Sequence, residues 1–116
     1  MRRLASVALY LALSFDLARA DNVEAEIAAL IDAVRGSPCQ FLRNGDPHSG
    51  AEAAEHIVAK YRHFKDEVAS AEDFIDRAAS RSLLSGRPYE IACPGQPVMK
   101  AADWLRAKLL ELRGGN

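Results

Sequence analysis

Three groups of side chains in this chain are of types that carry chemistry. His56 and Lys60 are four residues apart and His63 is seven from His56, so on a helix they fall on or near one line. A structural metal needs three or four ligands. His56 and His63, with His48 in the preceding segment, do not make a ligand set of recognisable spacing, so neither a metal nor a cofactor is expected. His56 flanks an apolar stripe at Ile57, which suits a partly buried, hydrogen-bonded imidazole. Arg43-Asn44-Gly45 is the second group: Arg43 has the fork that grips a carboxylate or phosphate. The structural alternative is a turn set by Asn44 and Gly45, with Arg43 paired to an acidic side chain of a neighbouring helix. Ser80, Ser82 and Ser85 are the third group, a hydroxyl cluster suited to a polar or anionic ligand or simply to ending a helix. No G-x-S-x-G elbow is present. A hydrolase with His56 as base and one of these serines as nucleophile is conceivable, yet no spacing selects a triad, and no catalytic residue is assigned.

These side chains must be positioned by local elements. Val23, Ile27, Leu30, Ile31 and Val34 recur at helical spacing and predict a helix over 21–35, opened by Asp21 with Glu24 and closed by Gly36-Ser37-Pro38. Residues 39–43 read as a strand with Cys39, Phe41 and Arg43 on one face, followed by turn chemistry at Asn44-Gly45-Asp46-Pro47. Ser49 with Glu52 opens a second helix that buries Ala54, Ile57, Val58, Tyr61 and Phe64. Ser70 with Asp73 opens a third, facing Ala71, Phe74, Ile75, Ala78 and Ala79 inward and ending at Gly86 and Pro88. Residues 88–93 alternate as a strand with Tyr89, Ile91 and Cys93 on one face. After a loop at Pro94–Pro97, residues 101–112 form a last helix with Leu105, Leu109 and Leu112 inward. Tyr89 and Trp104 read as core or rim.

The 116 residues suit one domain, and 49% apolar with 27% charged residues excludes a disordered chain. A formal charge of −1 implies no basic face, so no nucleic-acid partner is expected. Residues 1–20 read as a signal peptide. Arg2 and Arg3 precede an uncharged run from Leu4 to Phe15, and Ala18-Arg19-Ala20 is a small-x-small cleavage site. That run is too short to span a bilayer, which needs about 20 residues. The expected product starts at Asp21, sits in the periplasm or outside the cell, and has no membrane contact once the leader is removed. Cys39 and Cys93, alone in an exported chain, are expected to bond.

Four motifs occur in order: Phe41-Leu42-Arg43-Asn44-Gly45; Ala53-x-x-His56-x-x-x-Lys60; Ala71-Glu72-Asp73-Phe74-Ile75; and Ala79-Ser80-x-Ser82-x-x-Ser85-Gly86-x-Pro88-Tyr89. Over residues 22–112 the chain resembles the small exported bacterial proteins of domain-of-unknown-function family 5329. The resemblance implies an exported protein and carries no established activity. The chain departs from the pattern at Leu83, where a serine is usual, and Cys93 is not a family feature.

The expected fold is α+β in the order α-β-α-α-β-α: four helices around a two-stranded antiparallel element. The expected function is a non-catalytic periplasmic binding or interaction module. Its ligand site would draw on Arg43, Asn44, His56, Lys60, Ser80 and Ser82. The partner is an unidentified small polar ligand or a protein. The rival readings are the His56 hydrolase and an interaction or inhibitor domain that binds through residues 44–50 or 94–97.

Overall fold

The structure is a computed structural model that describes residues 22–115. The expected leader and the expected Asp21 cap lie outside the described residues. Among those residues the order is α1 (22–35), β1 (Gln40–Arg43), β2 (Asp46–His48), α2 (Gly50–Phe64), a 3-10 turn (Lys65–Glu67), α3 (Ala71–Ala78), β3 (Glu90–Ala92), β4 (Met99–Lys100) and α4 (Ala101–Leu112). The α+β class holds, and the expected pairing of two strands is the β1–β3 ladder. Two short strands flank it, giving an antiparallel sheet in the order β2-β1-β3-β4.

The β1–β3 register sets Phe41 opposite Ile91. Continued by two residues each way, it sets Cys39 opposite Cys93 and Arg43 opposite Tyr89, all on the face that meets the helices. Cys39 and Cys93 are joined by a disulfide with a Cα separation of 4.2 Å. Phe41 and Ile91 are buried, and Phe41 meets the Trp104 ring edge-on at 6.0 Å. Ile27, Leu30 and Val34 of α1, Ile57 of α2, Phe74 and Ile75 of α3, and Leu105 and Leu109 of α4 complete one core.

Local chemistry explains most boundaries. Asn44 and Gly45 have φ of 52° and 84°, the left-handed pair that a two-residue type I′ hairpin turn demands. That turn folds 46–48, expected as loop, back along β1 as β2. The capping box of α2 is complete: the Ser49 hydroxyl accepts from the Glu52 backbone N–H (3.2 Å), and Glu52 Oε1 accepts from that of Ser49 (3.1 Å). Gly50 sits where α1 ends. An added Cβ there would collide with the Val34 carbonyl oxygen and crowd those of Ser37 and Arg35.

Two expectations are corrected. The third helix ends at Ala78 rather than near Gly86: the Ala79 N–H makes the closing helix bond to the Ile75 carbonyl (3.1 Å), Ala79 leaves the helical region at φ −132°, and the Ser80 hydroxyl caps the same carbonyl (2.8 Å). Leu112 is exposed, and Ala101 and Ala102 join Leu105 and Leu109 on the buried face of α4. The end of α4 is held by Arg113, which donates to Glu26 on α1 (2.7 and 3.0 Å) and to Glu72 on α3 (2.8 and 3.1 Å). These bonds lower both carboxyl pKa values.

Candidate functional site

Between the sheet and α2 lies a cavity of about 260 Å³, lined largely by Phe41, Leu42, Ala53, Ile57, Ala79 and Leu105. Its polar rim is Arg43, His48, Glu52, His56 and Tyr89. Arg43 arrives from the end of β1, on the Phe41 face. His56 comes from α2, one residue before buried Ile57, and Tyr89 is the residue before β3. His48 stands opposite Phe41 across the hairpin, and its Nε2 is buried with no hydrogen-bond partner among the described residues.

The hydrogen bonds define the protonation states. A guanidinium only donates. Arg43 Nη1 lies 2.9 Å from His56 Nδ1 and 3.3 Å from Nε2; taking the shorter contact as the bond makes Nδ1 the acceptor and assigns a neutral imidazole with its proton on Nε2. Nε2 then donates to the Tyr89 hydroxyl at 3.1 Å. Burial first, and then the nearby charges of Arg43, Lys60 and His48, push the His56 pKa below its ordinary value, in keeping with that neutral ring.

Lys60, one turn further along α2, is buried. Its ammonium donates to the Arg81 carbonyl (2.6 Å) and to the Tyr89 hydroxyl (3.1 Å). Burial, then Arg81 and Arg43, pull its pKa down to about 8. Burial also raises the Tyr89 pKa, so the phenol is protonated at neutral pH. Both lone pairs of its oxygen are taken by His56 and Lys60, which leaves its own O–H without an acceptor among the described residues. Arg43 also lacks an ion pair among the described residues, although Asp46 stands opposite it across the hairpin. The corner of the cavity is therefore a cluster of donors with a deficit of acceptors.

Of the residues expected at a site, Arg43, His56 and Lys60 meet, joined through Tyr89. Asn44, Ser80 and Ser82 lie in the adjacent turn region with their side chains otherwise engaged. Asn44 accepts from the Ser85 hydroxyl, Ser80 donates to the Ile75 carbonyl, and the Ser82 hydroxyl accepts from the Ser85 backbone N–H (3.4 Å). No described hydrogen bond joins a serine to His56, so the hydrolase reading lacks its nucleophile–base contact. Tyr89 was legible in principle. A disulfide at 39–93 sets the strand register, and that register puts Tyr89 beside Arg43. The exposed ring of His63 packs against Phe64 at 4.8 Å, on α2 beyond the cluster. Among the described residues no group of three or more His, Cys, Asp or Glu is placed to hold a metal.

Residues 21–113 match the family of unknown function DUF5329. The chain belongs to that family. Its similarity extends to the uncharacterized protein YfeK of Salmonella typhimurium, 39% identical over 67 residues, which covers 57% of this chain and 56% of YfeK. The match thus spans little more than half of that relative. No solved structure matches the chain. Among the described residues no helix is long and apolar enough to cross a membrane.

Proposed function

We propose that this DUF5329 protein is an exported, non-catalytic binding module whose cavity holds a small ligand with an anionic head and an apolar body. The observation that carries this reading is the donor surplus at Arg43 and Tyr89. Arg43 spends one N–H on a neutral imidazole and forms no ion pair among the described residues. The Tyr89 hydroxyl has a proton left to give. A carboxylate supplies the missing acceptors, and Arg grips it with two parallel bonds. The apolar lining then takes the body of the ligand, the usual division of labour in a small-molecule site. An exported location rests on the leader of residues 1–20 and agrees with the Cys39–Cys93 bond.

A thermal-shift comparison tests this. Short-chain and aromatic monocarboxylates are run beside their neutral amides, on the wild type and on Arg43→Leu. A ligand at about 100 times its dissociation constant adds about 2.7 kcal/mol, a shift of several degrees in a domain of this size. The expected result is stabilisation by a carboxylate, none by its amide, and loss of the shift in a folded Arg43→Leu variant. Equal response to acid and amide, or an undiminished shift in the variant, would overturn the reading.

A further inference from the structure

Between α3 and β3 the chain makes a loop closed at its base by a bridge between Arg81 and Pro88. The Ser82 N–H donates to the Arg87 carbonyl (3.0 Å), and the Gly86 N–H to that of Ser82 (2.9 Å). Ser82 is buried beneath the loop. Lys60 holds the Arg81 carbonyl from below, and Ser85 ties the loop to Asn44 of the β1–β2 turn. At the apex of this braced loop stand Leu83 and Leu84, 61% and 100% exposed. Such exposure of two adjacent leucines in a well-bonded loop is not what burial of apolar surface would select. Arg81 and Arg87 flank them at the base, both exposed and neither in an ion pair among the described residues. The arginines at 35, 77, 106 and 113, by contrast, each have a carboxylate partner.

We infer that the Leu83–Leu84 tip docks this domain on an anionic phospholipid surface. The tip is convex, and a bilayer receives a protrusion without a matching groove. Two leucines enter the acyl boundary while two arginines stay at headgroup level, the arrangement of peripheral anchors. Their charges complement an anionic surface and are not already neutralised within the domain. The loop is held by hydrogen bonds before contact, so docking orders little new chain. The inference is independent of the cavity's ligand.

The test is vesicle flotation of the oxidised chain from residue 21, which contains the whole described core and lacks the apolar leader. Phosphatidylcholine vesicles with a third phosphatidylglycerol are compared with phosphatidylcholine alone. The expected result is flotation with the anionic vesicles only, weakened at high salt as screening shortens. Leu83→Ser with Leu84→Ser should cut affinity by about a hundredfold, roughly tenfold for each leucine. Arg81→Gln and Arg87→Gln should each cost about fivefold. Circular dichroism and the melting temperature report whether each variant is folded. A wild type that ignores anionic vesicles, or a folded leucine variant that floats equally well, overturns the inference. So does a wild type that ignores vesicles yet self-associates through the two leucines, because the tip would then be a protein contact.

Discussion

One face of the β1–β3 ladder carries opposite solutions at its two ends. At one end Cys39 and Cys93 are joined covalently. Two residues along, Phe41 and Ile91 are buried. Two further, Arg43 and Tyr89 meet over an open cavity with more donors than acceptors. The first end uses its side chains up on each other. The second leaves hydrogen-bonding capacity unspent and drives the His56 and Lys60 pKa values down. Arg113 sharpens the contrast, since its guanidinium is matched by two carboxylates and Arg43 by none among the described residues. In this molecule saturated groups hold the fold, and unsaturated ones crowd the cavity.

The disulfide end should give the largest effect. Cys39→Ser with Cys93→Ser, or reduction, opens a loop whose ends are 54 positions apart. The chain-entropy account puts the loss at about 4 kcal/mol. In a domain of this size that is roughly 20 °C in melting temperature, measurable by calorimetry with and without reductant. A loss of only a few degrees would remove the covalent half of the comparison.

Next come the two arginines. Arg113→Leu breaks contacts to both α1 and α3 and should cost about 1 kcal/mol in urea unfolding, the upper range for half-exposed pairs. Arg43→Leu removes a cation that lacks an ionic partner and stands near Lys60. It should leave stability within about 0.5 kcal/mol of the wild type. If Arg43→Leu proved the costlier of the two, the site would be a structural network.

The smallest effect is the pH dependence carried by His56 alone. The folded pKa of His56 lies below its unfolded value of about 6.5. The unfolded chain therefore binds more protons in that window. Stability from the neutral ring is complete above about pH 6.5 and falls as pH drops toward the folded pKa. Melting curves of the wild type should decline below that point more steeply than those of His56→Gln. Parallel curves would mean that the ring is not held neutral.

Much of this was legible in the sequence, and the misses have physical causes. The alternation at 39–43 and 88–93 and the Ser49–Glu52 box translate directly, because period and capping are local properties. β2 and β4 escaped because three and two residues are too few to show a period, and Pro47 argues against a strand. The end of α3 was overrun because Gly86 and Pro88 drew the boundary, although its apolar stripe already stops at Ala79. Lys60 gave no sign of burial, since its partners, the Arg81 carbonyl and Tyr89, lie more than twenty residues away. The acceptor deficit at Arg43 is a statement about who is absent in space, and no sequence window contains it.

Gly50 has a consequence for how this site can be lost. The bare Cα lets the first residue of α2 rest against the last carbonyls of α1. A side chain there would act as a wedge at one end of a helical lever. His56 and Lys60 ride on that lever, about 9 and 15 Å along its axis at 1.5 Å per residue. Tilting it would swing both away from Arg43 and Tyr89. The cavity would fail with every residue that lines it intact.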